Sequence, residues 1–60
     1  MEKQFSLIIS SIPNNTYAVN FRCWVLNENG NQETLAFMVE SAITFEQALT
    51  LQENFIIENK

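Results

Sequence analysis

Hydrophobic and polar residues alternate from the start of the chain. Phe5, Leu7 and Ile9 project to one side, and Ser6, Ile8 and Ser10 project to the other. A period of two is that of a half-buried strand. A first strand is therefore expected over about residues 4–12, after the polar lead-in Met1-Glu2-Lys3-Gln4. Pro13-Asn14-Asn15 ends it, because Pro supplies no ladder donor and Asn tolerates the left-handed backbone of a short loop. Alternation resumes over about 16–27, with Tyr17, Val19, Phe21, Cys23 and Val25 on one face and Ala18, Asn20, Arg22, Trp24 and Leu26 on the other. A third strand is expected over about 32–40, after the turn Asn27-Glu28-Asn29-Gly30-Asn31, in which the chain's single Gly supplies a positive φ.

Register follows from the same pattern. A three-residue first loop pairs Ile9 with Val19, Leu7 with Phe21 and Phe5 with Cys23. The second turn admits two readings. A two-residue Asn29-Gly30 loop sets Leu35, Phe37 and Val39 beside Trp24, Arg22 and Asn20, mixing an apolar row with a polar one. A three-residue loop, Glu28-Asn29-Gly30, shifts the pairing by one and sets Cys23 against Leu35, Phe21 against Phe37 and Val19 against Val39. A one-residue slip moves a whole hydrophobic set across the sheet, so the second reading is preferred.

From Ser41 the period changes. Thr44 followed by Phe45-Glu46-Gln47 forms a capping box, and Glu46 suits the positive end of a helix dipole. Phe45, Ala48, Leu49, Gln52, Phe55 and Ile56 share one stripe at helical spacing, while Leu51 and Ile57 fall off it. A helix over about 45–57 is expected, with Phe55 to Ile57 as a short fourth strand the competing reading. The sum is an α+β domain, a three-stranded antiparallel meander (βββα) with one C-terminal helix covering one face, spanning residues 1–60.

Thr44-Phe45-Glu46-Gln47-Ala48-Leu49 resembles the T-x-E-x-A-L helix start of HicB-type antitoxins, whose small domain also begins with antiparallel strands. The likeness covers six residues, and Ser41-Ala42-Ile43 stands where that family has a glycine-rich segment. The stretch is read as a capping box followed by helix formers, and no functional residue is carried over.

Sixty residues allow one thin core. A lone Cys, Cys23, excludes an intramolecular disulfide, and without His or Asp no metal site or cofactor is expected. Oligomerisation is then the remaining common device, and a homodimer is expected. An apolar fraction of 47% with five Phe sets the chain apart from disordered sequences. Seven Glu against Lys3, Arg22 and Lys60 give a net charge of −4, the opposite of the basic stripe that binds phosphate backbones, so nucleic acid is not an expected ligand. No apolar run approaches a membrane span or a signal-peptide core, and a cytoplasmic protein is expected.

Catalysis needs groups that titrate near neutrality or an activated nucleophile. There is no His to serve, Cys23 is expected in the core, and one Gly makes no phosphate loop. No catalytic residue is assigned. The outer sheet face carries the more informative set: Trp24, Arg22, Ile8, Met38 and Leu26, in which Trp and Arg are types enriched at interface hot spots and Met is an adaptable contact. The expected function is that of a small acidic, non-enzymatic regulatory or inhibitory module binding a protein partner through this face or an edge strand. A nucleic-acid-mimicking inhibitor, presenting Glu46, Glu53 and Glu58 to a basic groove, is the alternative.

Overall fold

The computed structural model describes residues 2–60, so Met1 of the lead-in lies outside the described residues. Strands β1 (Gln4–Ile12), β2 (Thr16–Leu26) and β3 (Gln32–Ile43) form one antiparallel sheet in the order β1-β2-β3, followed by helix α1 (Phe45–Glu58). This is the expected βββα arrangement. Phe55 to Ile57 are helical, and β3 runs three residues beyond its expected end.

The first hairpin has the expected register: Phe5 opposes Cys23, Leu7 opposes Phe21 and Ile9 opposes Val19. Asn14 and Asn15 both take positive φ in its loop, the conformation for which Asn is suited. Thr16 Oγ1 donates to the Pro13 carbonyl at 2.8 Å, closing the turn.

The second hairpin corrects the expected register. Its turn is the three-residue one: Asn27 N donates to Asn31 O and Gly30 N to Asn27 O, each at 2.9 Å, with Gly30 at φ 80°. Asn27 Oδ1 also accepts from the amides of Asn29 and Asn31. That register lasts only from Leu26 opposite Gln32 to Trp24 opposite Thr34. A β-bulge comes next, in which β3 contributes Leu35 as an extra residue. Beyond it Cys23 opposes Ala36, Phe21 opposes Met38 and Val19 opposes Glu40. An extra residue flips every later side chain to the other face. Leu35, Phe37 and Val39 are therefore not the inner row; Ala36 and Met38 are.

The reason lies under the helix. Val19, Phe21 and Cys23 of β2 with Ala48 and Phe55 of α1 make the buried cluster, and Ala36, Met38 and Ile43 pack against it from β3. Small Ala36 and unbranched Met38 fit beneath the helix, and the bulkier alternate row is turned outward. Phe55 anchors the packing with its ring edge-on to Phe5 at 6.3 Å and tilted against Phe21 at 5.8 Å. Burial of a Phe side chain stabilises by about 1.5–3 kcal/mol, a large share of what so small a domain has.

The capping box forms as expected. Gln47 N donates to Thr44 Oγ1 at 3.1 Å, and Thr44 N donates to Gln47 Oε1 at 3.0 Å. The buried line of the helix is rotated from the expected stripe. Leu51 packs against the core, whereas Phe45 and Leu49 are about half exposed.

A second irregularity separates Val19 opposite Glu40 from Tyr17 opposite Ile43. Ala42 sits in it at φ 59°, a left-handed conformation that a β-carbon disfavours. The kink returns Ile43 to the core side just before Thr44 starts the helix.

Candidate functional site

The outer face of the sheet is left uncovered by the helix, and the register orders its residues into rows. Gln4, Trp24 and Thr34 form one; Ser6, Arg22 and Phe37 the next; Ile8, Asn20 and Val39 the third. Leu26 extends β2 beyond Trp24. Phe37 is 74% exposed, Val39 66%, Ile8 52% and Leu26 51%. Phe37 and Val39 are same-face neighbours on β3, while Ile8 stands across Asn20 on β1 and Leu26 beyond Trp24 on β2.

Arg22 and Trp24 lie two residues apart on β2, hence on the same face, and both are half-buried. The Arg22 guanidinium carbon stands 4.5 Å from the Trp24 ring centroid. That cation–π contact contributes on the order of 0.5–1 kcal/mol at a partly exposed site and, more usefully, fixes the orientation of both groups. Arg22 Nη2 donates to Gln32 Oε1 at 2.7 Å, which holds the other end of the guanidinium to β3. Arg22 Nε is buried and has no hydrogen-bond partner among the described residues. Glu2, Gln4, Trp24, Leu26 and Gln32 line a shallow depression beside this pair.

Of the five residues assigned from the sequence, Trp24, Arg22, Ile8 and Leu26 are on this face. Met38 is not: it opposes Phe21 on the helix side and packs against the core, because the bulge at Leu35 reverses β3. The same reversal brings in Phe37 and Val39, which periodicity had assigned to the core. Their presence was signalled by the two-residue turn register, which sets Phe37 beside Arg22 and Val39 beside Asn20, as the structure does beyond the bulge.

Cys23 is a free thiol, fully buried between Phe5 and Ala36. Among the described residues no three His, Cys, Asp or Glu side chains are grouped as a metal site would require. None of the described helices is long and apolar enough to cross a membrane. No protein-family model, curated protein or solved structure matches the chain.

Proposed function

We propose that the protein is a non-enzymatic protein-binding module, regulatory or inhibitory in effect, that engages its partner through the outer sheet face. The observation that carries this reading is the pair Phe37 and Val39 on β3, with Ile8 across Asn20 on β1, all more than half exposed and flanking the ordered Arg22–Trp24 stack. A partner that covers it removes apolar surface from water, at about 25 cal/mol per Å² before the costs of association. A reducing, cytoplasmic setting suits the free Cys23 thiol.

The nucleic-acid-mimicking alternative calls for carboxylates along one face. Of Glu46, Glu53 and Glu58, the first two share the solvent side of α1, and Glu58 is turned from Glu53 by about 140° at 3.6 residues per turn. Two aligned carboxylates are thin support for it.

Affinity capture from host lysate tests the proposal, with four baits of the full chain: wild type, Trp24→Ala, Phe37→Glu, and Glu53→Gln as a helix-side control. A protein retained by wild type and the control but reduced at least tenfold with Trp24→Ala and Phe37→Glu is the expected outcome, in line with hot-spot losses of about 2 kcal/mol or more. Equal capture by all four baits would overturn the reading. Phe37 is so exposed that its substitution should leave the core intact, to be checked by circular dichroism of the variant.

A further inference from the structure

The sheet has two open edges, β1 and β3, and they differ in chemistry. β3 carries Glu33 and Glu40, opposite Val25 and Val19 and hence on the inner side of the sheet. Charge in that position obstructs a further strand, which would have to bury it. β1 has no charged residue and no Pro from Gln4 to Ile12. Nothing in its own sequence blocks pairing.

The orientation of its backbone follows from the turns. The bond from Asn27 N to Asn31 O fixes the ladder that each β2 residue feeds: odd-numbered residues bond toward β3 and even-numbered ones toward β1. Ser6, Ile8 and Ser10, opposite even residues, therefore bond inward to β2. The amides and carbonyls of Phe5, Leu7, Ile9 and Ser11 point out from the edge. Their side chains belong to the inner face, where Phe5, Leu7 and Ile9 are only partly buried.

The helix leaves a matching deficit on the same side. Ala48 and Phe55 mark the line of α1 that faces the sheet. At 3.6 residues per turn, Leu51 falls to one side of that line and Phe45, Leu49 and Ile56 to the other. Leu51 lines a depression with Ile43 of β3, so the Phe45, Leu49 and Ile56 flank lies on the β1 side. Phe45 is 49% exposed and Leu49 44%.

We infer that a second copy of the chain pairs antiparallel with β1 about a two-fold axis normal to the sheet, giving a six-stranded sheet with both helices on one face. A second copy supplies both missing parts at once, a strand for the edge and an apolar flank for the helix. In this pairing odd residues meet odd residues, so Phe5, Leu7 and Ile9 of each chain continue the inner face of the other. The spacing also fits. The helix packs chiefly on β2 and next on β3, and the two β2 strands are three strand spacings apart, so the helix axes stand about 14 Å or more from each other. Helices about 10–12 Å across with their side chains then face each other over a narrow groove that the two apolar flanks line. The paired strands are free of carboxylates, so the net charge of −4 on each chain is kept off the seam.

This interface is independent of the outer-face reading, and sedimentation velocity over a concentration series tests it. Wild type is expected to show a species of twice 6.9 kDa. Leu49→Glu, which charges the flank, and Ser11→Pro, which removes one outward amide, should each weaken dimerisation at least tenfold, while Phe37→Glu on the outer face leaves it unchanged. Hydrogen exchange on the wild type needs no variant: the amides of Leu7 and Ile9 should be protected where the dimer forms and lose protection on dilution. A wild type that is monomeric throughout overturns the inference. So does a dimer broken by Phe37→Glu but not by Leu49→Glu, or one in which those two amides exchange freely.

Discussion

Ala42 shows how a single backbone angle can redirect the chain. At φ 59° it lets β3 turn Ile43 into the core and reach the Thr44 cap within two residues. A non-Gly residue in that region costs about 1–2 kcal/mol, partly offset because Gly loses more freedom on folding. Ala42→Gly should therefore stabilise the domain by about 0.5–1 kcal/mol and raise Tm by a few degrees in a thermal melt. An unchanged or lowered Tm would mean the left-handed angle is not a cost to the fold. At this scale the sequence was informative where chemistry is local. Asn14, Asn15, Gly30 and the Thr44–Gln47 box all sit as their side chains dictate. Ala42 was illegible, because Ala carries no signature of positive φ.

Among the elements, β1 and β2 were readable from alternation alone, since neither contains a spare residue. β3 was not. Leu35, Phe37 and Val39 alternate as regularly as a core row does, and periodicity cannot report which side of a sheet receives them. The two turn registers weighed for the second hairpin both occur, one on each side of Leu35. The structure resolves the competition by packing: the helix needs small Ala36 and flexible Met38 beneath it. The same limit explains the rotated helix. Phe45, Leu49 and Ile56 belong to an apolar stripe, but Ala48 permits the close approach and sets the phase. A deletion series tests the bulge. Removing Leu35 restores simple alternation and keeps Thr34 outside and Ala36 inside, so this variant should fold with native far-UV circular dichroism and a cooperative melt. Removing Asn20 from β2, which has no residue to spare, should abolish the cooperative transition.

For the molecule as a whole, four of the five surface residues assigned from sequence share the outer face, while Phe37 and Val39 entered it through the bulge. The two edges then determine what kind of assembly the fold permits. In the dimer proposed above β1 is consumed by its twin, which leaves only β3 edges, each presenting Glu33 and Glu40. Replacing both with Thr should let association continue past the pair, read as growing mass in light scattering and rising thioflavin fluorescence; particles that stay at the size of the pair would show that the carboxylates are not the barrier. In polymer terms, the proposed pairing makes the chain a monomer of functionality one. One reactive end and one terminated end would give a product of fixed length, with two glutamates standing between a sheet-forming protein and a fibre.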